Sequence, residues 1–119
     1  MLRTSLAGWP LALLAVASHA APDTGEAAAQ QRGFAALRAM DCARCHGRDF
    51  AGLSAPSLLA AVREGSRERF DWYVLKGDIG RGMPGYESQP LVVAQIDAMY
   101  AWLIFAARQR TFTRLEGTP

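Results

Sequence analysis

The 119-residue chain has two histidines, two cysteines and a single lysine. Each scarcity excludes something. Two cysteines cannot form the multi-bridge framework that staples small secreted folds. There is no second cysteine or histidine pair, so a four-ligand zinc site cannot be completed. Lys76 stands alone among 13 basic residues, so no lysine ring announces a strongly acidic partner. The formal net charge is only +2, too weak to imply nucleic-acid or membrane-surface binding. No internal repeat or low-complexity linker occurs. No alternating polar and apolar run is long enough for a strand, so the pattern is helical throughout.

The first 20 residues have their own grammar. Met1-Leu2-Arg3 is a short basic start, and an apolar stretch follows from Leu6 to Val16. Pro10 interrupts it, and it falls short of the roughly 20 residues that span a bilayer. Ser18-His19-Ala20 puts small residues at the positions a signal peptidase recognises. Residues 1–20 are expected to be a secretory signal peptide cut after Ala20. A buried N-terminal helix is the competing reading. No cysteine follows the apolar run, so a lipid anchor is not expected. Cleavage leaves 119 − 20 = 99 residues with 12 basic and 11 acidic side chains, a formal charge of +1. That length suits one small domain with a marginal core of its own. The expectation is a soluble exported protein of the periplasm.

What is present is decisive. Cys42-Ala43-Arg44-Cys45-His46 is the Cys-x-x-Cys-His attachment signature of a c-type haem. Two thiols three positions apart reach the two vinyl groups, and the adjoining imidazole lies under the ring to ligate iron. A thioredoxin-type dithiol would need a βαβ context, and none is visible. Haem c would be held covalently through Cys42 and Cys45, leaving no cysteine for a disulfide. It would also supply the apolar body that so short a chain needs. Its two propionates would bring the charge to about −1.

Helix signals organise the rest. Residues 21–27 form an alanine-rich, flexible leader. A first helix is expected over about 28–41, with Phe34 and Leu37 inward. Residues 47–56 form a loop punctuated by Gly47, Gly52 and Pro56. Ser57 caps a short helix over Leu58–Glu64, and Ser66 caps another over Arg67–Lys76, closed by Gly77. Phe70, Tyr73 and Val74 share a face of the latter, with Trp72 and Leu75 on its flank. Residues 77–86 carry four glycines and a proline, and so form a loop. A last helix runs from Pro90 or Leu91 to Ala107, packed across the first, and residues 108–119 form a tail. The domain proper spans 28–107.

After cleavage His46 is the one remaining histidine, so a bis-histidine haem is excluded within the chain. Three methionines are left as second ligands. Met40 is too close to Cys42 to reach the opposite face. Met99 sits at core spacing, where plain packing explains it. Met83 lies in the glycine-rich loop, where the backbone can approach the ring closely. It is the expected distal ligand, the alternative being a methionine that covers an open haem face.

Taken in order, Cys42-Ala43-Arg44-Cys45-His46, Ala55-Pro56-Ser57-Leu58, Trp72-Tyr73-Val74-Leu75-Lys76-Gly77 and Gly82-Met83-Pro84-Gly85-Tyr86 resemble the class I monohaem cytochrome c family. The resemblance covers about residues 28–107. It implies an all-α, small cytochrome c fold: about four helices around one covalent haem c, with first and last helices crossing. It implies that Cys42, Cys45, His46, Met83, Pro56 and Trp72 bind the cofactor, with His46 and Met83 on the iron. The Pro56 carbonyl would accept the other N–H of His46, and Trp72 would meet a propionate unless it is an ordinary core residue. Gly33 and Leu37 would form the small and large pair at the helix crossing, facing Tyr100 or Trp102. Gly33 is one position further from Cys42 than is usual, and an aliphatic residue replaces the common aromatic.

A soft, neutral thioether favours ferrous iron, and two filled axial positions keep substrates away from it. No catalytic set is visible. The expected function is one-electron transfer by a carrier, not an enzyme. It would run between an exported dehydrogenase (possibly a quinoprotein) or a quinol complex and a terminal oxidase or reductase. Phe50, Leu53, Ile79 and Tyr86 are the expected contact patch at the haem edge. Two alternatives remain at this level. One is an open-site haem that binds gases or acts on peroxides. The other is a fixed subunit of a larger oxidoreductase, assembled through Trp102, Ile104, Phe105 and Phe112.

Overall fold

The computed structural model describes residues 24–116, with side chains through residue 110. The proposed signal peptide and the first part of the leader lie outside the described residues. The described chain is all-α: α1 (Thr24–Ala39), α2 (Ala43–His46, one turn), α3 (Leu58–Glu64), α4 (Arg67–Lys76) and α5 (Pro90–Glu116), with a 3₁₀ turn at Ile79–Arg81. No strand occurs among the described residues, only an isolated antiparallel bridge between Asp78 and Met83.

Helix α1 begins at Thr24, four residues before the expected start. Its alanines and glutamines are strong helix formers. Glu26 stands in the positive first turn, where Gln30 Nε2 donates to its Oε1 at 3.2 Å. The helix ends in a Schellman motif. The Cys42 N–H reaches back to the Leu37 carbonyl and the Asp41 N–H to that of Arg38, with Asp41 left-handed at φ 55°. That turn delivers Cys42 to the start of α2.

The two short helices are fixed by local chemistry. The Ser57 hydroxyl accepts from the Ala60 N–H at 3.1 Å, and the Ser66 hydroxyl from the Arg69 N–H at 3.2 Å. Gly77, at φ 74°, closes α4 through its N–H to the Tyr73 carbonyl.

Helices α1 and α5 pack directly on each other at Gly33. A Cβ placed there would lie 1.9 Å from the Ala98 carbonyl oxygen, so the backbones touch with no side chain between them. The expected crossing is therefore present, with Gly33 against Ala98 and Met99 rather than against Tyr100 or Trp102. Trp102 instead stacks on Phe34 at 4.8 Å and meets Phe50 edge-on at 5.3 Å. Leu37, Phe50, Val92 and Leu103 are fully buried at the centre. Each such side chain contributes about 1.5–3 kcal/mol relative to exposure.

Arg67 ties α4 to α5. It donates to Asp71 at 2.8 Å, pairs with Asp97, and lies 5.0 Å over the Tyr100 ring. The two carboxylates push its pKa up, that of Asp71 first.

Helix α5 runs to Glu116, through most of the expected tail. Its segment Pro90–Arg110 is long and apolar enough to cross a membrane by length and composition. Core helices pass the same test, and here Val92, Met99, Leu103 and Ala107 are buried within the fold. Leu91, Val93 and Phe105 remain exposed.

Candidate haem-binding site

The site is built on the loop that follows α2. Gly47 (φ 93°) and Gly52 (φ 106°) fold it into a tight loop. The Gly52 N–H donates to the His46 carbonyl at 2.7 Å, and the Ala55 N–H to that of Cys45 at 2.9 Å. The loop thereby carries Pro56 back over the histidine. His46 Nδ1–H donates to the Pro56 carbonyl at 2.7 Å. This is the contact the resemblance implied. It sets the tautomer: with Nδ1 as donor, Nε2 presents its lone pair.

A small cavity of about 30 Å³ lies beside this loop. Cys42 and His46 line one part of it; Met83 and Tyr86 from the loop after α4 line another. Leu37, Leu58, Phe70, Val74, Val92 and Met99 complete apolar walls. The Met83 side chain is half-buried.

Cys42 is half-buried against the cavity, and Cys45 is exposed. Burial pushes the Cys42 thiol above its ordinary value; the charges of Asp41 and Cys45 add to this, and a backbone hydrogen bond opposes it. The Tyr86 phenol is pushed up as well, by burial first and then by negative charge on Cys42, Cys45 and Asp41.

Two expected residues stand elsewhere. Trp72 is 61% exposed, so it is neither a core tryptophan nor a lining residue of the cavity. Phe70 and Val74 take the inner face of α4, and a residue two positions along a helix points the opposite way. Phe50, expected in an exposed contact patch, is fully buried. Its left-handed backbone (φ 61°) turns the ring inward onto Trp102. Leu53 and Ile79 are exposed at 75% and 76%, as expected of that patch, while Tyr86 faces the cavity. Of the expected assembly residues, Phe105 is exposed, Trp102 and Ile104 are half-buried, and the Phe112 side chain lies outside the described residues.

Met40 and Met99 line the same cavity, although their spacing in the sequence points only to proximity to Cys42 and to core packing. Met99 shows its place through the crossing: it follows Ala98, which Gly33 touches.

The donor set fits a covalently held haem. The Cys42 thiol borders an apolar cavity, the exposed Cys45 thiol stands three positions on, one imidazole has Nδ1 already engaged, and a thioether lines the same space. No protein carboxylate cluster competes: no group of three or more metal-binding His, Cys, Asp or Glu exists among the described residues.

The family model described as "Cytochrome C oxidase, cbb3-type, subunit III" matches residues 27–103. No curated protein and no solved structure matches the chain. A match over 77 of 119 residues, from 103 − 27 + 1, takes in most of α1, the Cys-x-x-Cys-His turn, the Met83 loop and the first half of α5. The chain therefore belongs to this c-type cytochrome family: it is a monohaem cytochrome domain that binds haem c covalently through cysteine, here Cys42 and Cys45, for haem-based electron transfer.

Proposed function

We propose that the chain is an exported, periplasmic one-electron carrier with His46 and Met83 as the two axial ligands, and that it performs no catalysis of its own. The observation that carries this reading is that His46 and Met83 line one cavity, with the His46 ring already oriented by Pro56. The haem iron, when bound, supplies the single electron that is gained and lost. The protein's residues bind, orient and shield it. Cys42 and Cys45 anchor the ring. His46 presents Nε2 because Nδ1 is engaged. Met83 offers a neutral sulfur that favours the reduced state. Leu37, Phe70, Val92 and Met99 keep water from the ring, which lowers the local dielectric and favours the less charged form.

Contact with partners falls to the loops that carry the ligands. Leu53 and Ile79, the two most exposed large apolar side chains among the described residues, stand on those two loops. A small apolar contact of this kind suits brief encounters with an electron donor and acceptor. An exported dehydrogenase or quinol complex on one side, and an oxidase or reductase on the other, have the matching chemistry.

The family description favours a second reading, a fixed cytochrome subunit of a larger oxidoreductase. The exposed Leu91, Val93 and Phe105 on α5 would then be covered by neighbours. Sedimentation of the holoprotein in its native extract separates the two: a carrier runs as a particle of about its own mass, a subunit with a larger assembly.

Optical spectra of the holoprotein, oxidised and reduced, with and without carbon monoxide, test the ligation. His/Met ligation gives a low-spin haem with a far-red sulfur-to-iron band and no carbon monoxide adduct. Met83→Ala loses the band and opens the iron. A native haem that is high-spin or binds carbon monoxide sinks the carrier reading and favours an open-site haem.

A further inference from the structure

The loop that carries Met83 is latched to the end of α4 by backbone contacts, beside an exposed Lys76–Glu87 ion pair, and two glycines make the latch possible. We propose that Gly77 and Gly85 are positioning residues for the axial thioether: their mutual contact holds the Met83 sulfur at the iron. The inference rests on the reading of Met83 as an axial ligand.

Four backbone hydrogen bonds close the loop. The Asp78 N–H donates to the Met83 carbonyl at 2.9 Å, and the Met83 N–H returns to the Asp78 carbonyl at 3.0 Å. The Tyr86 N–H donates to the Val74 carbonyl at 3.0 Å, and the Glu87 N–H to the Leu75 carbonyl at 3.1 Å. The last two acceptors belong to the final turn of α4, whose carbonyls have no partner within the helix. The returning chain thus satisfies the helix end, and the helix end fixes the returning chain.

This geometry brings the two arms too close for any side chain at the contact. A Cβ on Gly85 would lie 2.7 Å from both the Leu75 and Lys76 carbonyl oxygens. A Cβ on Gly77 would lie 2.5 Å from the Gly85 nitrogen and 2.6 Å from the Met83 oxygen. Every one of these neighbours is backbone, so no rotamer change relieves the clash. Gly77 also has φ 74°, which an L side chain resists. Either methyl group must push the Met83 arm away from α4. Met83 sits two residues from Gly85 and one bridge from Asp78, so that displacement reaches the sulfur directly. By contrast Gly80, in the same loop, is open: a Cβ there meets only Asp78 Oδ1, at 3.9 Å.

The experiment compares Gly85→Ala, Gly80→Ala and Met83→Ala as holoproteins, by far-red absorption, carbon monoxide binding, reduction potential and far-ultraviolet circular dichroism. Gly85→Ala is expected to keep its helices and covalent haem, lose the sulfur-to-iron band, bind carbon monoxide and fall in potential. Gly80→Ala is expected to match the unaltered protein. If Met83→Ala loses the band and Gly85→Ala keeps both band and potential, the glycine latch is refuted and the ligand assignment stands. If Met83→Ala itself keeps the band, the ligand assignment falls and the latch proposal with it. Should Gly85→Ala fail to accumulate, amide exchange in the unaltered holoprotein decides. The latch requires the Met83 and Tyr86 amides to exchange within about tenfold of the Gly77 amide that ends α4. Much faster exchange overturns it.

Discussion

The carbonyl of Pro56 lies 2.7 Å from His46 Nδ1, ten residues back along the chain. An N–H donated to a carbonyl makes the imidazole a stronger electron donor at its other nitrogen. It also stops the ring from rotating about its Cβ–Cγ bond. A single loop contact thus sets both the aim and the basicity of the only histidine in the described chain.

Loosening that contact has a predicted sign. Pro56→Gly keeps the carbonyl but frees the backbone that aims it. With His46 as the axial ligand proposed above, a weaker hydrogen bond makes it a poorer donor to ferric iron, so the reduction potential rises. Loss of such an outer partner typically weakens ligation about 10- to 100-fold. Spectroelectrochemical titration of the two holoproteins checks this; an unchanged or lower potential refutes it.

Gly33 makes the second prediction. A methyl group there would sit 1.9 Å from the Ala98 oxygen and 2.7 Å from the Met99 nitrogen. The two helices must separate, which overpacking data put at about 1–3 kcal/mol. In a domain of this size each kcal/mol shifts the melting temperature by about 4–8 °C. Thermal melts of Gly33→Ala holoprotein should show that loss. A shift within about 1 °C would mean that the crossing is not as close as Gly33 and Ala98 indicate.

What was legible in the sequence was chemistry confined to short stretches. The Cys-x-x-Cys-His turn, the Ser57 and Ser66 caps, and the Gly77 stop each depend on a few neighbouring residues, and each stands where it was expected. The Pro56 contact was legible only through the resemblance of its loop to a family. Features set by tertiary placement were not legible. Phe50 looked like a surface aromatic in a glycine-rich loop, yet its positive φ buries it on Trp102. The spacing of Phe70 and Val74 marked the inner face of α4, but not that Trp72, half a turn away, would stand 61% exposed. Helix α1 begins four residues before, and α5 ends nine residues after, the apolar periodicity that marks the core.

Phe50 supplies a test of that correction. If it is the buried centre of an aromatic cluster, Phe50→Ala removes about 3–5 kcal/mol of stability. Leu53, three residues on and 75% exposed, should tolerate alanine within about 0.5 kcal/mol. Denaturant unfolding of both holoproteins distinguishes core from surface. Equal small effects would return Phe50 to the exposed patch.

Asp41 predicts a gain. Its left-handed backbone (φ 55°) closes the Schellman motif between α1 and Cys42. Left-handed geometry costs a residue with a Cβ about 1 kcal/mol, less for aspartate than for most. Glycine carries no such penalty. Asp41→Gly should therefore raise the unfolding free energy by a few tenths of a kcal/mol to about 1 kcal/mol, leaving the spectrum unchanged. A loss of stability would show that the carboxylate itself contributes to the turn.

Burial holds the Tyr86 phenol above its ordinary value of 10.0, with negative charge on Cys42, Cys45 and Asp41 as lesser causes. Once the thiols become thioethers their charge is gone, so burial and Asp41 remain. A raised value in the folded chain means the folded state keeps the proton longer than the unfolded state does. The contribution of this group to stability is therefore whole below about pH 10 and is lost as pH rises through the higher folded value. Tyr86→Phe cannot ionise and loses nothing over that range. Guanidinium unfolding of both proteins at pH 7 and at pH 11 measures the difference directly. The gap between them should move in favour of Tyr86→Phe at the higher pH. A gap that stays constant would mean that Tyr86 faces solvent in the folded holoprotein and not the haem cavity.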